Sequence, residues 1–407
     1  MIQRSDTFRR VARALGFSLI GIGLLGSARS STAQLSHDRE IAGPFGFSVP
    51  VKPASSGKPA FPLEVVWARP LPSERLFSWR QSERSTPVEL GDRLYLGTSR
   101  GSGILVLNRS TGALVHRIAT QGAVEVPITI DPESGDLFAG DSESYFYRLK
   151  QDGTQVWRYE STGPIVTAAS LGEGRVYFHA IDDTLVALDA TNGQPAWTYR
   201  RETAYGEGLS IFGASVPAIS GGLLFTGFAD GTVVALRTTT GELVWEQRLV
   251  TEGAWTDVDG TPVILEGDRV VISAFRGPTV CLKGSTGEEL WRSDMGTTSQ
   301  PLNRNGMLYV AGNSGQVSAL DADTGKQRWR WSAPGDAVPQ QPTLWRGELV
   351  VTTSDGQLYM LNPTTGRLDW QLRPDIGIAG FSSGVGGSRD ALFAASDGGW
   401  VYAFGAQ

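Results

Sequence analysis

VALRTTTGELVW, residues 234–245, decides the fold: a strand, a turn closed by Gly241, and a second strand that delivers Trp245 four residues after the glycine. The same sentence is written again as YRLKQDGTQVW (147–157), VALDATNGQPAW (186–197), VCLKGSTGEELW (280–291), SALDADTGKQRW (318–329) and YMLNPTTGRLDW (359–370). A degenerate copy, LVLNRSTGALVH (105–116), carries His116 in the Trp position. The turn glycines Gly112, Gly153, Gly193, Gly241, Gly287, Gly325 and Gly366 are spaced by 41, 40, 48, 46, 38 and 41 residues. A period of that size is the mark of a repeat architecture.

Working outward, each unit holds two earlier strands. The first often opens with a proline (Pro87, Pro127, Pro217, Pro262, Pro301, Pro342), and the second is aromatic or β-branched, as in RLYLG, RVYFH, RVVIS and ELVVT. Short apolar or alternating runs with turn signals every ten residues or so predict antiparallel strands, and four per repeat make the blade of a propeller. The eighth unit, FSSGVGGSRDALFAASDGGWVYAFGAQ (381–407), supplies only three strands. PLEVVWARP (62–70) reads as the missing fourth, with Trp67 in the Trp slot. Pairing the two closes the ring and leaves no bare edge across the seam. The expectation is an all-β, eight-bladed propeller over residues 61–407.

The repeat residues have local reasons. An Asx side chain bonds the backbone ahead of it, and Gly takes a positive φ without steric cost. The indole on the outer strand can wedge against the neighbouring blade, removing roughly 150–250 Å² from water. At about 25 cal/mol/Å² that contributes about 4–6 kcal/mol gross per site. Trp67, Trp157, Trp197, Trp245, Trp291, Trp329 and Trp370 are therefore read as structural.

Residues 1–33 have the layout of a cleaved secretory signal: Arg4, Arg9, Arg10 and Arg13, an apolar run from Ala14 to Gly26, and small residues up to Ala33. The apolar run is too short for the ~20 residues that span a bilayer. Residues 34–60, rich in Pro, Gly and Ser, read as a spacer. Removing five Arg and one Asp with the signal leaves 31 basic and 41 acidic side chains, a formal charge of −10. Such a chain gains nothing from counterion release on nucleic acid. Cys281 is the sole cysteine and His37, His116 and His179 the sole histidines, so the sequence offers no internal disulfide and no metal-ligand set.

The Ala-x-Asp-x-x-Thr-Gly-x-x-x-Trp repeat resembles that of pyrroloquinoline-quinone (PQQ) propellers. The dehydrogenases of that group hold their quinone beside two adjacent, disulfide-linked cysteines, which this sequence cannot provide. Two long intervals carry a closer likeness. LSIFGASVP (209–217) follows Trp197 and TDVDGTP (256–262) follows Trp245. Both resemble segments with which the BamB family docks BamA, the outer-membrane insertase. The resemblance assigns docking roles to Leu209, Ile211, Asp257 and Asp259, with Phe212 where the family has Arg. Trp255 beside them reads either as an interface anchor or as packing under the loop. The two aspartates read either as partner contacts or as acceptors for local backbone N–H groups. BamB is usually a lipoprotein with a Cys at the end of its signal, and no Cys stands near residues 20–40 here.

The expectation is accordingly a soluble, periplasmic, non-catalytic scaffold without cofactor, metal or lipid anchor, monomeric by itself. Its partners are a BamA-type insertase and unfolded barrel proteins. Alternatives are an exported binding module for peptide or glycan and, last, a quinone-dependent dehydrogenase.

Overall fold

The computed structural model describes residues 40–42, 48–50, 62–73, 82–201, 215–250, 257–374 and 379–406. Eight four-stranded antiparallel sheets and the turns that join their strands make up the ring. Blade 1 consists of Val88–Leu90, Arg93–Gly97, Ile104–Asn108 and Leu114–Ile118, from the inner strand to the outer. Blades 2 and 3 occupy 129–160 and 170–200. Blade 4 is built of Ala218–Ser220, Leu223–Gly227, Thr232–Arg237 and Leu243–Arg248, and blade 5 of Val263–Leu265, Arg269–Ser273, Thr279–Lys283 and Glu289–Ser293. Blades 6 and 7 follow at 302–332 and 343–372. Within the stretch read as a spacer, Glu40–Ala42 pairs with Ser48–Pro50.

Blade 8 closes the ring as the sequence requires. Its outer strand is Leu63–Pro70, zipped antiparallel onto Trp400–Ala406 from Leu63↔Ala406 to Pro70↔Trp400. A salt-bridged latch reinforces this seam. Glu83 is buried, its carboxylate lies 2.8 Å from Arg100 Nε, and its backbone N–H donates to Asp397 of blade 8. Arg100 in turn donates to the Asp397 carbonyl at 2.6 Å.

The core lies between blades. One apolar cluster joins blades 7 and 8 through Trp345, Met360, Phe381 and Phe404, and the next joins blades 8 and 1 through Trp67, Leu94, Leu105 and Phe393. Middle strands are covered on both faces, which is why RVVIS and LLFTG read as apolar runs. Outer strands have one covered face: in Leu243–Arg248 only Trp245 is buried.

The tryptophans bind the blades into a chain. Each indole Nε1–H donates to a carbonyl of the following blade: Trp67 to Arg109 (3.0 Å), Trp157 to Ala190 (3.1 Å), Trp197 to Thr238 (2.8 Å) and Trp245 to Gly284 (2.7 Å). Trp291 donates to Ala322 (3.2 Å) and Trp329 to Pro363 (2.8 Å). Just before the turn, the register of third and outer strands shifts by one residue, at Ala235/Leu236 in blade 4 and Cys281/Leu282 in blade 5. Such a bulge bends and twists the outer strand. A small residue faces the Trp in several blades, and Cys281 fills that place opposite Trp291.

Two junctions differ. Trp370 is buried, but its Nε1 has no acceptor among the described residues, blade 8 being completed by Leu63–Pro70 instead of an Asx–Gly turn. At the junction of blades 1 and 2 the degenerate His116 has no partner for its Nε2 among the described residues, and Gly153 faces Ile118 where other turns face an indole. Trp197 is half-buried, less covered than its counterparts.

Candidate functional site

Antiparallel order within each blade sorts the connections onto two faces. Tight first-to-second turns and the Asx–Gly turns lie on one; second-to-third loops and blade-to-blade crossings lie on the other. The two long crossings, from blade 3 to 4 and from blade 4 to 5, thus leave the same face on either side of blade 4. Leu209, Ile211, Phe212 and Trp255 lie outside the described residues. The C-terminal roots of both crossings lie within them.

The second root is stitched between loops of two blades. Phe275 N–H donates to the Asp257 carbonyl at 2.8 Å, and Val258 N–H donates to the Phe228 carbonyl at 3.1 Å. Val258 is wholly buried. Its carbonyl can come so close only because position 227 is glycine; a Cβ there would sit 2.3 Å from that oxygen. This clamp fixes the backbone on which Asp257 and Asp259 ride.

Their carboxylates are unbalanced. Asp257 is buried and Asp259 half-buried, and among the described residues neither is paired with a cation. The Asp259 Oδ1 is buried and has no hydrogen-bond partner among the described residues. Burial pushes the Asp259 carboxyl up to about 7, with the neighbouring Asp257 adding to the rise. Burial also raises Asp257. A desolvated carboxylate without a counter-ion is costly to hold charged, so the pair is primed to accept a cationic group or a proton. In each case the residue's own backbone N–H acts against that rise, a local contact that offsets only part of the desolvation.

The first root has a different anchor, which the sequence reading passed over. Ser215 Oγ accepts from Gly227 N–H at 2.7 Å and lies 3.0 Å from Thr226 Oγ1, which is 2.8 Å from His179 Nε2. All three side chains are buried, and desolvation pushes the His179 imidazole down to about 3. On the opposite side of the crossing Arg201 bridges Asp230 and Glu246 at 3.1 and 2.9 Å, its guanidinium lying over the Phe228 ring. These contacts tie blade 3 to blade 4. His179 gave no sign in sequence beyond being a histidine inside a strand.

Residues 132–286 and 279–407 match the sequence family described as outer membrane protein assembly factor BamB, and together the two matches cover more than half of the chain. The chain belongs to the BamB family. BamB from Burkholderia pseudomallei is 26% identical over 359 residues, covering 86% of this chain and 90% of its own. BamB from Yersinia pestis is 28% identical over 275 residues, covering 66% and 68%. The crystal structure of BamB from Moraxella catarrhalis superposes with a TM-score of 0.70 at 19% identity, covering 84% of this chain and 99% of that one. A quinohemoprotein alcohol dehydrogenase from Pseudomonas putida HK5 superposes with a TM-score of 0.63 at 14% identity, covering 86% and 77%. At such identities the structural likenesses speak for the propeller alone. Within the BamB family, then, this chain presents two long crossings on one face, rooted by a hydroxyl–imidazole anchor at one and an unbalanced carboxylate pair at the other.

Proposed function

We propose that this BamB-family chain is an exported, non-catalytic scaffold that docks a BamA-type insertase on the face around blade 4 and assists barrel assembly in the outer membrane. The reading rests on one observation above the others: Asp257 and Asp259 stand desolvated and, among the described residues, without a cation at the root of a long crossing. A basic side chain from a partner supplies the missing charge, and the apolar Leu209, Ile211, Phe212 and Trp255 supply area around it. The signal-like layout of residues 1–33 supports a periplasmic residence. Cys281, alone and buried opposite Trp291, speaks against the quinone-dehydrogenase chemistry of the wider propeller group.

The test is a binding titration of the mature protein against the periplasmic domains of its BamA-type partner. Asp257→Asn/Asp259→Asn keeps the shape and removes the charge. It is expected to weaken binding by more than about tenfold, in keeping with ~2–5 kcal/mol for truncating a buried interfacial charge pair. Unchanged binding would remove the aspartates from the interface.

A further inference from the structure

The inner strands border the propeller axis, and neighbouring blades tie them together with a recurring bond. Thr129 Oγ1 of blade 2 donates to the Ala169 carbonyl before blade 3 at 2.7 Å, Ser170 Oγ of blade 3 donates to the Pro217 carbonyl, and Thr343 Oγ1 of blade 7 donates to the Val385 carbonyl at 3.0 Å. Ala218, Val263 and Leu302 take that register position in blades 4, 5 and 6. They have no hydroxyl to donate, and neither do Val88 and Gly386 at that position in blades 1 and 8, so the tie is made at three of the eight junctions and its longest gap runs from blade 4 to blade 7. A cavity of about 480 Å³ opens against that sector of the axial wall. Its size falls in the ~300–1,000 Å³ range of ligand sites.

The lining is selective in kind. Among the described residues it contains no charged side chain and no aromatic ring. Its polar side chains include Thr261, Gln300, Asn303 and Gln341, and the three amides make no hydrogen bond within the described protein. Each amide offers both a donor and an acceptor. The inner strands Ala218–Ser220, Val263–Leu265 and Leu302–Arg304 are paired on one side only and present their other edge to the axis. Neutral amides beside open strand edges match the alternating N–H and C=O groups of an extended polypeptide. An ion would find no countercharge here, and a sugar no ring to stack on.

We propose that the axial cavity between blades 4 and 7 is a binding site for an extended, uncharged peptide segment. The site uses none of the six side chains assigned to partner docking, although Val216, Pro217, Thr261 and Pro262 at the ends of the two docking segments form part of its wall.

The probe is a capped, fluorescein-labelled octapeptide of alternating valine and threonine, titrated by anisotropy against the mature protein. Saturable binding in the micromolar range is expected. Ala218→Trp, which fills the cavity, should weaken it by at least about tenfold. Gln300→Glu/Gln341→Glu preserves shape while making the wall negative. It should weaken the neutral peptide by about tenfold and tighten binding of a version with two lysines, a reversal that a folding defect would not produce. Absence of saturable binding would overturn the proposal, as would affinity unchanged in both variants. Displacement of the peptide by maltoheptaose would overturn the ligand class in favour of a saccharide.

Discussion

Truncating Trp245 and then filling the space from the other side gives a sharp test of how the blades are joined. Trp245 is 9% exposed, donates to Gly284 O at 2.7 Å and lies 6.0 Å from the Phe225 ring. Trp245→Ala removes the indole and its bond, a change expected to cost about 3–5 kcal/mol. Across the junction Gly287 has φ +75°, and a Cβ added there would lie 2.7 Å from the indole Cδ2. Gly287→Ala therefore meets two penalties: about 1–2 kcal/mol for an L-residue at positive φ, and about 1–3 kcal/mol for the overlap. In the double variant the indole is gone and the overlap with it. Only the backbone penalty then adds to the truncation, so the combined loss should fall short of the sum by about 1–3 kcal/mol. Urea unfolding of all four proteins, followed by far-UV circular dichroism, reads this coupling directly. Additivity to within about 0.5 kcal/mol would show that the glycine is not there to admit the ring, and the account of the junction would fail.

Arg100→Ala should cost about 3–5 kcal/mol at neutral pH in a urea melt, because it strands the buried Glu83 carboxylate; Glu83→Gln in the same background should recover part of the loss. His179 is held neutral well below its ordinary value, so its contribution is present above about pH 6.5 and is lost as pH falls toward 3. Thermal melts of His179→Gln should flatten across that window relative to the parent. Asp259 has the opposite sign: its raised value favours the protonated fold, so stability falls as pH climbs from about 4 through 7. Asp259→Asn should remove that decline, so that its stability gain over the parent, measured by urea unfolding, is about 1–3 kcal/mol larger at pH 8 than at pH 4.

Most of the fold can be read from the chain because it is repeated. Strands such as Arg175–His179 and Glu348–Thr352 begin and end where their apolar runs do, and Leu63–Pro70 lies where an orphan fourth strand had to lie. The turn is more general than its motif. Blades 4 and 5 place Arg237 and Lys283 where blades 1, 3, 6 and 7 have Asx, yet Gly241 and Gly287 N–H still donate four residues back to those carbonyls. The backbone does the closing, and Asn108 or Asp321 adds side-chain bonds on top. The site was less legible. Asp257 and Asp259 stand out only by resemblance, since their imbalance depends on what fails to surround them. The His179–Thr226–Ser215 anchor joins residues from two blades, and no period in the sequence marks it. The missing hydroxyl ties of blades 4 to 6 are legible only once inner strands are aligned by register.

Leu63–Pro70 is synthesised ahead of every other strand of the ring, yet its ladder partner, Trp400–Ala406, is the last to appear. Until then the nascent molecule is an arc with two sticky ends, each a row of unanswered amides open to misassembly. Joining them spends most of the chain's length on a single loop closure, the kind of long-range step that makes folding slow. The ring is correspondingly hard to open anywhere but at this zip, which gives a protease or a pulling force one natural place to begin.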